Sequence, residues 1–154
     1  MTPAINAAKK AKISIVVREY EHDPTCTAYG LEAAEKLGVD PQRVFKTLVA
    51  DLGDELVVAV IPVEEMLGFK HLAKAAGAKK AAMADKSLVE RTTGYVLGGV
   101  SPLGQKKRLR TFIDASASAH STILVSGGRR GLDIEITPTD LARMTGGDFA
   151  RLTQ

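Results

Sequence analysis

The sequence is poor in the features that staple or anchor small proteins. Cys26 is the only cysteine among 154 residues, so no intramolecular disulfide can form, and such sparse thiol use fits a reducing cytosol. No apolar run approaches the ~18–20 residues that a membrane span requires. Met1-Thr2-Pro3-Ala4 does not open a basic stretch followed by an apolar one, so no signal peptide is expected. Internal repeats, low-complexity tracts and linker-like segments are missing too, which favours a single domain over residues 1–154. Several catalytic templates are also lacking. There is no G-x-x-x-x-G-K-[ST] phosphate loop, no G-x-G-x-x-G between a strand and a helix, and no G-x-S-x-G elbow. His22, His71, His120 and Cys26 show no ligand spacing such as H-x-x-x-H or C-x-x-C, so neither a metal nor a cofactor is expected. Each histidine reads as a surface or partly buried side chain, and Cys26, next to Thr25 and close to Pro24, as an ordinary thiol.

What is present is the composition of a globular domain, with 45% hydrophobic and 25% charged residues. Net charge is +3, and its distribution matters more than its size. Lys106, Lys107, Arg108 and Arg110 form one basic run, Arg129 and Arg130 a second, Lys79 and Lys80 a third. Such runs fit either a solvated face or contacts to phosphates. Thr2-Pro3 predicts a capped helix to about Lys12, and the β-branched stretch Ile13 to Tyr20 a strand. Leu31, Ala34 and Leu37 have helical spacing over 29–37, with Gly38 as the stop. Asp40-Pro41 predicts another cap. Thr47–Ala50 and Leu56–Ile61 flank a hairpin turn at 51–54. Helices are expected at 69–76, ending at Gly77, and from Asp85 to about Thr92. Strands follow at 110–113, 122–125 and 132–136, and a last helix runs from Thr137-Pro138 to near Gly146. Helices and strands mix without strict alternation, which favours an α+β fold with a mixed or antiparallel sheet.

Two glycine-rich stretches and one lysine carry the candidate chemistry. Gly94 to Gly104 holds four glycines and Pro102, and Ser126-Gly127-Gly128-Arg129-Arg130-Gly131 adds three more after a strand. Such segments are either tight turns or loops whose backbone closes on a ligand. Lys46 stands at the mouth of a predicted strand. There it serves either as a compact cation for a phosphate or developing oxyanion, or as an edge charge that discourages aggregation. The residues alone allow both.

Four segments together resemble the YbaK family: Tyr20-Glu21-His22-Asp23-Pro24, Val44-Phe45-Lys46-Thr47-Leu48, Gly94-Tyr95 to Gly104, and Val125-Ser126-Gly127-Gly128 to Glu135. Free-standing Cys-tRNA(Pro) deacylases belong to this family, and the same fold forms the inserted editing domain of bacterial-type prolyl-tRNA synthetases. The resemblance implies one α+β domain with a strongly curved, barrel-like mixed sheet surrounded by helices. It makes Lys46 the catalytic residue, places Tyr20 and Asp133 along the aminoacyl pocket, and gives Thr47 and Ser126 hydroxyl contacts. Gly98 and Gly99 would let their loop approach the acyl group, and Tyr29 stands where an aromatic is expected. The implied reaction is attack of the substrate's own cysteinyl thiol on its ester. The implied partners are mischarged tRNA(Pro), met by Lys106, Lys107, Arg108, Arg129 and Arg130, and prolyl-tRNA synthetase in a transient ternary complex, with no membrane. Two other readings stand beside this one: a deacylase for another small group such as alanyl, and a non-catalytic RNA- or partner-binding module.

Overall fold

The computed structural model describes residues 1–154. The chain opens with α1 (Pro3–Lys10), where the Ile5 amide donates to the Thr2 hydroxyl at 3.3 Å, and continues into β1 (Val16–Glu19) and α2 (Tyr29–Leu37). Asp40 caps a single 3-10 turn, Pro41–Arg43, which delivers the chain into β2 (Phe45–Asp51) and its hairpin partner β3 (Leu56–Pro62). Next come α3 (Phe69–Ala76), the two-residue β4 (Ala82–Met83) and α4 (Lys86–Thr93), whose N-cap is Asp85. The last part comprises β5 (Arg110–Asp114), β6 (Ile123–Arg129), β7 (Leu132–Ile136), α5 (Pro138–Thr145) and β8 (Asp148–Ala150). Four of the five helices end on a left-handed glycine, Gly38, Gly77, Gly94 or Gly146, because a residue without Cβ can close the last turn without strain.

The strands form two sheets. One is antiparallel, in the order β1-β7-β6; the other is mixed, in the order β4-β2-β3-β5-β8, with β3-β5 and β5-β8 parallel. A single parallel bridge, Val44 to Leu124, joins them. The domain is α+β with mixed pairing, as expected; the strands fall in two sheets, and the expected barrel-like form is not seen as a closed barrel. Val44, between the 3-10 turn and β2, makes the backbone bridge to β6, while Phe45 and Val49 of β2 share the core with Ile123 and Val125 of β6. The first strand is also shorter than the β-branched run 13–20 suggested. Ile13 and Ile15 pack on the core, while only Val16 to Glu19 find partners on the short β7.

The main core lies between the sheets, where Val58, Val60 and Ile113 meet Ile123, Val125, Ile134 and Ile136, closed at its ends by Ile5 and Leu141. The alternate β3 residues Val57, Ala59 and Ile61 point the other way, onto Leu72 and Ala76 of α3. A strand buried on both faces must be apolar almost throughout, as 56–62 is. A third, smaller cluster sets Ala33 and Ala34 of α2 against Val44, Val63 and Leu124. It seats α2 on the outer face of the three-stranded sheet.

That seat depends on Gly30. A Cβ there would stand 2.2 Å from Val63 Cγ1, too close for a stiff β-branched neighbour to accommodate. Gly30→Ala is therefore expected to cost about 1–3 kcal/mol in urea unfolding. Adding Val63→Ala should recover part of that loss; strict additivity of the two substitutions would contradict the contact.

Candidate active site

Between α2, the leading end of β2, the loop 97–100 and the outer face of β6 and β7 lies a cavity of about 320 Å³, within the range of small-ligand sites. Tyr20, Tyr29, Lys46, Thr47, Gly98, Ser126 and Asp133 all line it. Seven residues scattered over more than a hundred positions thus line one cavity. Gly99 does not reach the wall. It backs the loop, because a Cβ at Gly99 would meet Arg129 Cα at 2.8 Å.

Strand register explains the grouping on the sheet. Asp133 pairs with Ser126 across β6 and with Arg18 across β1, so all three share one face while Leu132 and Ile134 point into the core. Asp133 is 7% exposed, and burial pushes its carboxyl up to about 7. The Tyr20 phenol is pushed up to about 12, first by burial and then by the nearby Asp133 charge. Lys46 is half-buried, and its nearest protein acceptor is the Val63 carbonyl at 3.4 Å, long for a hydrogen bond. Burial lowers its pKa, and Glu65 offsets this only in part. The Thr47 hydroxyl is buried without a partner. Successive strand residues face opposite ways, yet Phe45, Lys46, Thr47 and Leu48 all border the cavity, which wraps this end of β2.

Two devices hold the walls. Glu32 of α2, 6% exposed, stands 2.6 Å from His22 Nδ1, accepts the Asp23 amide at 2.8 Å, and lies 3.3 Å from Lys36 Nζ. Burial alone would raise this carboxyl, but those partners together hold it below the usual carboxylate value. The segment after Tyr20 is thereby tied to α2, with the His22 ring 5.9 Å from Tyr29. On the other side, Arg130 Nε and Nη2 donate to the Leu97 carbonyl at 3.0 and 2.6 Å, while its guanidinium lies 4.6 Å over the Tyr29 ring. Gly98 sits between them at φ 84°, where a Cβ would meet both Arg130 and Tyr29 at 2.8 Å. The loop is also pinned internally, since the Tyr95 hydroxyl donates to the Leu103 carbonyl at 2.6 Å. Neither Glu32 nor the Arg130 clamp followed from sequence reasoning. The only signal was the Glu32–Lys36 spacing of four residues.

The five expected RNA contacts do not converge. Arg129 and Arg130 stand beside the cavity loop. Lys107 and Arg108 instead border a groove with Asp51, Asp54 and Glu55 at the β2–β3 turn, and Lys106 adjoins the end of α4 through the Thr93 carbonyl. Lys46 and Asp51 are five residues apart along β2, about 16 Å of strand. Cys26 lies outside the cavity wall, with the Ala28 carbonyl 3.9 Å from its sulfur. No three His, Cys, Asp or Glu side chains converge to hold a metal ion. No helix is long and apolar enough to cross a membrane.

The family model for the aminoacyl-tRNA editing domain matches residues 22–144. EbsC of Enterococcus faecalis, a proposed Cys-tRNA(Pro)/Cys-tRNA(Cys) deacylase, is 46% identical over 122 residues, covering 78% of this chain and 74% of that protein. Among solved structures, the hypothetical protein APE2540 superposes with a TM-score of 0.88 at 24% identity, covering 99% of both chains. A proposed trans-editing enzyme for prolyl-tRNA synthetase superposes at 0.84 and 21% identity, over 99% of this chain and 95% of that one. At such identities the two structures establish the shared fold.

Two measurements follow from the site's electrostatics and its clamp. The Asp133 carboxyl rises from 3.8 to about 7 on folding, so between those values the folded chain holds a proton that the unfolded chain releases. This contribution to stability is full at low pH and is lost as pH climbs through 7. Asp133→Asn should therefore be the more stable form at pH 8, by up to about 4 kcal/mol at ~1.4 kcal/mol per pKa unit, with the gap closing toward pH 4. Equal urea midpoints at pH 8 would argue against a buried, unpaired carboxyl. Arg130→Ala should speed amide exchange in the segment 96–100 by about tenfold or more while leaving the core protected. Arg130→Lys should not restore it, because an ammonium lacks the planar fork.

Proposed function

The chain belongs to the family of aminoacyl-tRNA editing domains, and from that membership we propose that it is a trans-editing hydrolase that deacylates mischarged Cys-tRNA(Pro). The observation that carries the proposal is the composition of the cavity. It holds one half-buried ammonium, an unpartnered hydroxyl and a buried carboxyl, but no nucleophile hydrogen-bonded to a base. The Ser126 hydroxyl accepts the Gly128 amide at 3.2 Å and has no histidine or carboxylate on it. The reacting nucleophile is then supplied by the substrate.

In this reading the cysteinyl thiol attacks the ester carbonyl carbon. The bond from that carbon to the ribose oxygen breaks, the thiol proton passes to the departing oxygen, and tRNA leaves with a free hydroxyl. The acyl group departs as a four-membered thiolactone, which water opens to cysteine. Lys46 stabilises the oxyanion and anchors the end of the RNA, and the cavity walls bend the acyl group into attacking geometry. Tyr20, Tyr29, Gly98 and Ser126 shape the acyl site, with Thr47 offering its free hydroxyl. The tRNA body is held mainly through phosphates. Arg129 at the cavity loop is the nearest candidate, and Lys106, Lys107 and Arg108 suit a more distant part of the RNA. Selection of tRNA(Pro) comes from prolyl-tRNA synthetase in a transient ternary complex.

Hydrolysis of Cys-tRNA(Pro) against Ser-tRNA(Pro), which differ by sulfur for oxygen, tests the mechanism. The cysteinyl ester should be lost at least about 100-fold faster, and Lys46→Ala should lower its kcat/KM by about 100-fold or more without altering the thermal midpoint much. Cleavage of Ala-tRNA with Cys-tRNA spared would overturn the thiol route. Equal clearance of Cys-tRNA(Pro) and Cys-tRNA(Cys), with and without the synthetase, would remove the ternary complex.

A further inference from the structure

Asp133 is a buried carboxyl of the cavity that no protein group answers. It faces the hollow from β7, nine-tenths buried, and only burial acts on it, with neither a hydrogen bond nor an opposite charge in compensation. No neighbour is hydrogen-bonded or ion-paired to it. Arg18, opposite it on β1, is bound to Glu135 at 2.7 Å. Ser126, opposite it on β6, accepts the Gly128 amide and makes no bond to the carboxyl. Lys46 has the Val63 carbonyl at 3.4 Å, with Glu65 as the charge acting on it. The Tyr20 phenol stays protonated to about 12 and can at most donate one neutral hydrogen bond. A carboxylate withdrawn from water without a partner is costly, and a cation entering the cavity would remove that cost.

We infer that Asp133 is the seat of the substrate's free α-ammonium group, so that the site accepts aminoacyl esters and refuses those whose nitrogen is acylated. The inference rests on the aminoacyl-ester reading above and deepens it. An α-amino group ionises at about 7.7–8.0 and is a cation at neutral pH, whereas an amide nitrogen is neutral and carries a further acyl group. The cavity, about 320 Å³, has room for a small aminoacyl ester. With its nitrogen on Asp133, the acyl group is held at one end while Lys46 holds the ester at the other. Peptidyl and formylaminoacyl esters, which the ribosome needs intact, lack the handle.

N-acetyl-Cys-tRNA(Pro) keeps the thiol and loses the charge, so it separates this role from the thiol chemistry. Relative to spontaneous loss of each ester, the parent should cleave Cys-tRNA(Pro) at least about 100-fold faster than the N-acetyl ester, the range for truncating one partner of a buried charge pair. In Asp133→Asn the first rate should fall at least about tenfold and the second should change little, so the preference collapses. Equal rates in the parent, or an undiminished preference in the variant, would overturn the seat. Binding of non-hydrolysable 3′-cysteinylamino-3′-deoxyadenosine provides a readout independent of turnover. It should shift the Asp133 carboxyl carbon in NMR and bind at least about tenfold tighter than its N-acetyl form, with the N-methyl form, which keeps the charge, close to the parent ligand. If these ligands bind in that order but no ester is cleaved, the seat stands and the hydrolase reading fails. Failure of all three to bind, or equal binding by all three, removes the seat itself.

Discussion

The constraint on which the site depends is the cost of withdrawing charge from bulk water along the walls of a cavity. Asp133 is buried without a partner, and Lys46 is half-withdrawn from solvent with only a distant carbonyl to meet it. Left to itself such an arrangement would collapse, by the side chains turning to solvent or the walls closing on them. It persists because both residues are set in paired strands, where the backbone ladder fixes the direction of each Cβ. Lys46 is locked opposite Ile61, and Asp133 between Arg18 and Ser126. The instability of the site is thus borne by the sheets behind it, whose apolar faces are nearly solvent-free.

The remaining walls are less regular and need separate fastening. The segment after Tyr20 has no ladder to follow, and the fully engaged Glu32 ties it to α2 through His22 and the Asp23 amide. The glycine loop has no regular structure either. Arg130 reaches from the β6–β7 turn to hold its Leu97 carbonyl and to cover Tyr29, and Gly98 and Gly99 permit the close approach on which that depends. The two fastenings meet at Tyr29, flanked by the His22 ring on one side and the Arg130 guanidinium on the other. An aromatic at the head of α2 therefore joins the two irregular walls, a role separate from any contact with the acyl group.

The sequence showed most clearly what local chemistry decides. Caps at Thr2, Asp40, Asp85 and Thr137, and glycine stops at 38, 77 and 146, mark helix ends because each acts within one turn. The 45–62 hairpin was visible because its strands are long and apolar. The short strands Ala82–Met83 and Asp148–Ala150 were not, since two or three residues show no period and their strand character comes from neighbours supplied by the fold. Ser126 to Gly131 read as a glycine loop, yet β6 runs on to Arg129 with an irregularity in its register after Ser126. Glycine signals a bend there, but cannot show that the ladder resumes. The division into two sheets was invisible for the same reason, as it depends on which distant strands pair. The site residues were reached through the resemblance, because only pairing between distant strands brings Lys46, Ser126 and Asp133 together. Arg130 illustrates what charge alone conceals: in sequence it is one of two adjacent arginines suited to phosphate, while in the fold its Nε and Nη2 hold the Leu97 carbonyl.

A hollow of this kind also bears on how an editing site separates similar substrates. Cysteine, serine, alanine and proline are close in volume, and a cavity wide enough for one cannot exclude the smaller ones by shape. Discrimination has to come from groups that the right substrate satisfies and the wrong one does not. On the proposed reading there are two such tests in one cavity, and they act on different atoms. A carboxylate with no internal partner rewards a free ammonium, which selects the class of aminoacyl esters before any reaction begins. The absence of a protein nucleophile then leaves cleavage to whatever the side chain can do, and of the four only a thiol is a strong nucleophile near neutral pH. Adding a catalytic serine or cysteine with its base would raise the rate for every acyl group alike and erase the second test. The lack of a nucleophile–base pair in the cavity is, on this view, a source of its selectivity.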